Sequence, residues 1–504
     1  MMTLTKRSGR TILEEAAMSV AESNVPGTDT DSIKASIRQI VDRQREAFLA
    51  EGPPSVKRRQ DWIDRSIGLL VDYKDEIAEA ISADFGHRSP EATMLTDVAG
   101  TIGPLKDAKK NVASWMKSEK RKTLFPLGLF GAKARVDYQP LGVVGVISPW
   151  NFPVNLTFAP LGGIFAAGNR AIIKPSEFTP ATSELMARMF AEVYDETEVA
   201  VVTGGPAVGE AFTTQPFDHL IFTGATSVAR HVMRAAAENL VPLTLELGGK
   251  SPVIVSESAD MEDTAAKIMN GKTLNAGQIC LAPDYVMIPE NKVSSFVEEA
   301  KKSVATMYPT IKDNSDYTSI VNQRHYDRLN SYIDDARAKG AEIVEINPAN
   351  EDFSQQPHRK IPPTLVLNPT EDMKIMQEEI FGPLLPVKTY SKVQDTVDYV
   401  NQHERPLGLY YFGSDSAEEN HVVTNTTSGG VTVNDVIMHI TQEDLPFGGV
   451  GPAGMGAYHG HDGFKNFSHA KAVYTQAKAK FVAELFRPPF GTSTAKRIKG
   501  QIKR

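Results

Sequence analysis

The chain uses cysteine once in 504 residues, at Cys280 in the run Asn275-Ala-Gly-Gln-Ile-Cys280. A thiol attacks as its thiolate, so a nucleophilic cysteine needs helix-end amides, a cation or a base nearby. The local sequence suits a turn that exposes amides, and it suits equally a buried thiol acting as a small hydrophobe. In Leu245-Glu246-Leu-Gly-Gly-Lys250 a carboxylate sits inside an apolar, strand-like segment that ends in two glycines. Burial there raises its pKa and fits it for general-base work; an edge strand with Glu246 facing water is the alternative. Glu378-Glu379-Ile-Phe381-Gly-Pro383 places adjacent acids before an aromatic and a rigid turn, a weaker signal by itself. Lys174-Pro-Ser-Glu177 follows the apolar run RAII. Loops at the carboxyl ends of strands in open α/β sheets are where ligands bind. A lysine donor and a glutamate acceptor in such a loop can grip the hydroxyls of a ribose. The same segment reads as a helix start capped by Ser176 or Thr179.

Three matches carry little. Gly449-Val-Gly-Pro-Ala-Gly454 fits G-x-G-x-x-G but follows no clear strand and holds Pro452 where a helix should begin. Asp84-Phe-Gly86 lacks every companion kinase motif. His459-Gly-His461-Asp462 lies in a glycine-rich stretch, where solvated histidines are expected, and no metal site is expected anywhere.

The elements that must position these residues are legible as alternating patterns. Short apolar runs at 143–148, 170–175, 199–204 and 219–224 read as buried strands, with helical stretches from Glu184 to Tyr194 and from Val228 to Leu240 between them. Apolar strands separated by helices imply a parallel sheet covered on both faces. The pattern resumes with a helix near 261–280 and strands at 284–289 and 342–347, so two α/β units in tandem are expected. Upstream, Ile33, Ile37, Ile40, Val41 and Phe48 recur at helical spacing until Pro53-Pro54, and Trp62, Ile63, Ile67, Leu70 and Val71 mark another helix. Residues 134–138 alternate apolar and charged side chains, as a half-exposed antiparallel strand does; a hairpin there could pair with another subunit.

Composition bounds the partners. Hydrophobic residues make up 41% and charged residues 23%, and the net charge is −8. That is ordinary for a soluble enzyme, and the basic surplus expected of a nucleic-acid binder is missing outside Lys496, Arg497, Lys499, Lys503 and Arg504. No apolar run approaches the roughly eighteen residues of a membrane span, and the N-terminus does not read as a secretory signal. A lone cysteine allows no intramolecular disulfide, and a cytoplasmic location is expected.

Taken in order, the motifs resemble those of the aldehyde dehydrogenase superfamily over roughly 450 residues, far beyond any single pattern. Ser148-Pro-Trp-Asn151-Phe-Pro153 resembles its oxyanion segment, Lys174-Pro-Ser-Glu177 its adenosine-ribose clamp, and Phe222-Thr-Gly-Ala-Thr226 its pyrophosphate turn. Glu246-Leu-Gly-Gly-Lys250 resembles the general-base motif, Gly277-Gln-Ile-Cys280 the nucleophile motif, and Glu379-Ile-Phe-Gly-Pro383 the nicotinamide-ribose segment. The stretch from Ser428 to His439, with Pro446–Gly451 and Gly454–Gly460, is similar to class 3 members. Asp84–Ser89, Glu177–Thr182 and Ala282–Tyr285 are similar to bacterial coniferyl aldehyde dehydrogenases within that class.

The resemblance implies catalytic Cys280, Glu246 and Asn151. It implies an NAD site, with NADP possible, formed by Trp150, Lys174, Glu177, Gly224, Ala225, Glu379 and Phe381. It implies oxidation of an aldehyde, aromatic and coniferyl-like, to its acid through a cysteine thioester; an aliphatic or semialdehyde substrate is the alternative. The fold implied is a Rossmann-like cofactor domain (31–126 and 140–245), an α/β catalytic domain (246–440) and a small β oligomerisation element (127–139 and 441–490) supporting a homodimer. A mobile leader (1–30) and a basic, frayed tail (491–504) flank them. The sequence departs from the family at Ala225, usually Ser or Asn, and at Ala229, usually Gly, which leaves the exact seat of the cofactor open.

Three other functions compete with this reading. A nitrilase-like cysteine hydrolase needs no ribose clamp, so Lys174 with Glu177 speaks against it. A silent family member is disfavoured by intact Asn151, Glu246 and Cys280. Relatives that transfer the acyl group to coenzyme A generally lack the acid found at Glu246.

Overall fold

A computed structural model describes residues 30–479 and 487–502. The expected leader therefore lies, apart from Thr30, outside the described residues. Among them, no helix is long and apolar enough to cross a membrane.

Two large sheets dominate. In the first, the neighbouring strands Leu243–Glu246, His219–Thr223, Val143–Ile147, Arg170–Lys174 and Val199–Val201 run parallel, and the short Gly454–Met455 closes the first of them antiparallel. Side chains alternate between two cores: Val143, Ile172 and Leu220 point into one, Val144, Ile173 and Ile221 into the other. Both faces are thus buried, which is why these strands are continuous apolar runs. The second sheet has seven strands. Pro252–Val255, Tyr285–Pro289, Leu384–Tyr390, Gly408–Phe412, Gly430–Val433 and Thr364–Leu367 are joined in parallel, and Glu342–Glu345 lies antiparallel at the edge. The expected doubly covered α/β architecture is present in both.

Helices fall where spacing placed them: Thr30–Glu51 before the Pro53-Pro54 break, then Val56–Asp72, Pro180–Val193 and Thr226–Ala237. Met261–Thr273 is shorter than expected, because the chain turns tightly before Cys280. The half-exposed strand is Lys133–Pro140, paired antiparallel with Glu119–Arg121 and with Ser468–Thr475 in a third, three-stranded sheet.

This sheet corrects two boundaries. Glu119–Arg121, expected in the cofactor unit, belongs to it, whereas most of 441–466 does not. Gly454–Met455 joins the first large sheet, and Tyr458, Phe464 and Phe467 pack into that sheet's core. Their buried aromatic surface holds the segment there. The tail, expected to fray, contains a helix, Thr492–Gln501.

Candidate functional site

The first sheet brings its chemistry to one edge. Four adjacent parallel strands end at Glu246, Thr223, Ile147 and Lys174, so the loops after them carry the general-base motif, Gly224-Ala225, Ser148–Asn151 and Glu177 side by side. Two hydrogen bonds continue the ladder past the strand ends, Gly224 N–H to the Glu246 carbonyl (3.0 Å) and Ser148 N–H to the Lys174 carbonyl (3.2 Å). Cys280 precedes the strand Tyr285–Pro289 of the second sheet, and Glu379 and Phe381 precede Leu384–Tyr390. Contacts of Asn151 with Gln278, Gly248 with Glu379 and Trp150 with Phe381 bring both segments to this edge.

Glu246 is 3% exposed. Gly454–Met455 pairs outside its strand, so the water-facing alternative fails. Both carboxylate oxygens lack a hydrogen-bond partner among the described residues, and burial raises the pKa well above the ordinary value. Cys280 is partly exposed. Burial of its sulfur, followed by the charges of Glu379 and Glu246, pushes the thiol up to about 12; the amides of Cys280 and Leu281 act weakly in the opposite direction. The approach to the cysteine is constrained: Asn275, Ala276 and Gly277 all have left-handed φ (49°, 51° and 72°). A Cβ at Gly277 would lie 2.3 Å from the Gly382 carbonyl oxygen, so only glycine fits. Strained backbone of this kind concentrates at functional sites.

Asn151 is buried, and its side-chain amide donates to the Gln278 carbonyl (3.1 Å), linking the loop of the first sheet to the cysteine turn. Its carbonyl accepts from Asn275 (3.1 Å) and from the Arg88 guanidinium (3.1 Å). Arg88 in turn pairs with Asp97 at 2.8 Å, both fully enclosed, and Asp97 accepts the amides of Val154 and Asn155. Sequence reasoning missed this support, although Arg88 lies in the Asp84–Ser89 motif; nothing in the local pattern indicates that the ion pair meets Asn151.

On the cofactor side, Lys174 and Glu177 form an ion pair at 2.7 Å, the lysine buried and the glutamate open to solvent. The capping alternative is partly realised: Ser176 accepts from the Phe178 amide, and Thr179 is the N-cap without a side-chain capping bond. Helix Thr226–Ala237 starts at Ala225 with no side chain capping it, leaving its first amides for an anion. The methyl of Ala229 is absorbed in the core under the sheet and 1% exposed. Trp150 and Phe381 meet edge to face (ring centroids 5.3 Å), and His325 packs on Trp150 at 5.2 Å, its imidazole held neutral by burial with a pKa down to about 4. His325 carried no sequence signal. Glu379 lies against Gly248, where a Cβ would be 2.1 Å from its carboxylate. Burial, then Asp284, raises its pKa to about 7, and its Oε1 is buried without a partner among the described residues. A cleft of about 730 Å³ runs between Ala225–Ser227, Gly248 and Glu379. Uncapped amides and an unpartnered carboxylate on the cleft, with an exposed lysine-paired glutamate on a neighbouring loop of the same sheet edge, are the donor and acceptor set that suits a dinucleotide.

His459, expected in solvent, is buried: its ring packs on Phe447 and Tyr458 (5.0 and 4.5 Å), and burial lowers its pKa to about 4.

Residues 15–473 match the model of the aldehyde dehydrogenase family. The chain belongs to that family. It is an oxidoreductase, and the family oxidises aldehydes with NAD(P). It is 66% identical over 477 residues to a probable coniferyl aldehyde dehydrogenase of Caulobacter vibrioides, covering 94% of this chain and 98% of the relative. It is 56% identical to the coniferyl aldehyde dehydrogenase of a Pseudomonas species, covering 90% and 93%. The structure of substrate-bound AldH from Staphylococcus aureus superposes with a TM-score of 0.86 at 36% identity, covering 93% of this chain and 99% of that one.

Proposed function

We propose that the protein oxidises a cinnamyl-type aromatic aldehyde, coniferyl aldehyde or a near analogue, with NAD, through a thioester on Cys280. The observation that carries the mechanism is that the Cys280 thiol lies close enough to the buried, unpartnered Glu246 carboxylate to be influenced by its charge, while the Asn151 amide bonds to Gln278 in the cysteine turn. The partly exposed Cys280 thiol gives its proton to solvent water, and the thiolate attacks the aldehyde carbon, the carbonyl π pair moving onto oxygen. A side-chain amide carries two hydrogens; one of Asn151's is held by the Gln278 carbonyl, and the other, with the Cys280 amide, stabilises the resulting alkoxide. NAD, when bound, supplies the hydride acceptor that lets the tetrahedral adduct become a thioester. Glu246 then takes a proton from water as that water attacks the thioester carbonyl, releasing the acid and restoring the thiol.

Lys174 and Glu177 would hold the adenosine ribose, the amides at Ala225 and Thr226 the pyrophosphate, Glu379 the nicotinamide ribose, and Trp150 and Phe381 would wall the site. Glu177 would accept both ribose hydroxyls, and a 2′-phosphate there would meet like charge. Lys174 is already engaged with Glu177. NAD is therefore expected to give a higher specificity constant than NADP. Following reduced-cofactor absorbance with both cofactors tests this, and equal or better constants with NADP would overturn it. The aromatic substrate rests on the two coniferyl-named relatives and on apolar Phe152, Ile437, Ile440 and Phe447 in the cluster that holds Cys280. In a panel of aldehydes, coniferyl aldehyde is expected to outperform short aliphatic ones; the reverse by orders of magnitude would defeat the assignment.

The free thiol, raised to about 12, is expected to alkylate slowly at neutral pH, the rate rising about tenfold for each unit by which the pH is raised towards that value. Slow labelling by itself therefore does not mark an inactive protein. The exposed strand Ser468–Thr475, open on one side of the third sheet, supports a homodimer through that sheet. The domain division is carried forward with the shifted boundaries above, and a cytoplasmic location rests on cysteine usage alone.

A further inference from the structure

Ala282-Pro-Asp284-Tyr285 has no part in the chemistry above, yet Asp284 is 3% exposed and ion-paired with Lys250 of the general-base motif. What the pair touches is specific. The Lys250 ammonium also donates to the carbonyls of Ile375 (2.8 Å) and Glu378 (3.0 Å), and the second oxygen of Asp284 accepts the Ile380 amide (2.9 Å). The residues immediately before and after Glu379 are therefore each fastened to one member of a single ion pair. Glu379's own carbonyl takes a longer bond from Arg328 (3.4 Å). Asp284 is itself fixed, its amide donating to the Ser251 carbonyl (2.8 Å), while buried Lys272 holds the carbonyl of Pro283 (2.8 Å).

We infer that Lys250 and Asp284 are positioning residues that set the Glu379 carboxylate at the nicotinamide-ribose end of the cofactor cleft. The inference rests on the reading of Glu379 as a ribose acceptor. A peptide segment tied on both sides of one residue leaves that residue's side chain little freedom, and preorganisation of this kind is worth affinity because less is ordered on binding. The pair also joins the strand following Glu246 to the strand following Cys280, so the ribose acceptor is referenced to the same two segments as the reacting groups.

The test is binding of NAD and of ADP to the full-length protein by calorimetry. ADP reports the adenosine half and the pyrophosphate, held by Lys174, Glu177 and the amides at Ala225 and Thr226, and lacks the nicotinamide ribose that Glu379 would accept. Asp284→Asn is expected to weaken NAD roughly tenfold, the scale of one hydrogen bond to a charged group, with ADP unchanged. Asp284→Glu keeps the charge pair and the fold but lengthens the tether, and it is expected to weaken NAD in the same selective way. Glu379→Gln alone should weaken NAD similarly, and combining it with Asp284→Asn should add nothing further, because two residues acting through one contact are not additive. Parallel loss of ADP and NAD would reduce the pair to a general structural role and overturn the inference. So would additive losses in the double variant, or wild-type NAD affinity in both Asp284 variants. If Glu379→Gln binds NAD normally while Asp284→Asn does not, it is the reading of Glu379 that has failed.

Discussion

Cys280→Ala is expected to abolish aldehyde oxidation while leaving NAD binding nearly intact. The thiol is the chain's only one, so no neighbouring sulfur can substitute for it. Removing the sulfur removes the bond-forming atom itself, and the amide and carboxylate that remain have no covalent adduct to stabilise. The cleft between Ala225–Ser227 and Glu379 does not include Cys280, which is why cofactor affinity should survive. Loss of the sulfur also removes little buried surface, so folding should be retained. Steady-state absorbance and calorimetric NAD binding on the same preparation check both halves. Turnover above background in a clean preparation would sink the thioester mechanism.

Glu246→Gln should separate the two half-reactions. Glutamine keeps the shape and a polar amide in the buried position but cannot take a proton at neutral pH. Its removal should also relieve Cys280, since the Glu246 charge raises the thiol's pKa; the first turnover should be no slower. A stoichiometric burst of reduced cofactor is expected, followed by a steady state slower on the order of a hundredfold or more, the usual scale for a general base. Mass spectrometry should find the acyl group on Cys280. A slowed first turnover without a burst would make Glu246 the activator of the thiol. Near-normal steady-state turnover would point to Glu379, whose pKa of about 7 also suits a base.

Much of this was legible from residues alone. Strands buried on both faces must be apolar throughout, so the runs at 143–148, 170–175 and 219–224 could be read without any partner in view. The doubly covered sheet then places the loops after those runs at one edge, which is why Lys174, Glu177 and Glu246 could be singled out by type and position, whereas Asn151 was indicated only by the family resemblance. Cys280 stood out by rarity.

Tertiary structure decided the rest. Glu246 reads as edge or interior from its own segment; Gly454–Met455, about two hundred residues on, covers its strand, and the burial raises its pKa. The same excursion placed 454–467 against the first large sheet and buried His459 against Phe447. Arg88 and Asp97 behind Asn151, and Lys250 and Asp284 around Glu379, are charged residues that local patterns assign to solvent. An ionisable group's burial and partner depend on which distant segments fold over it, and side-chain spacing along the chain records only the periodicity of its own element.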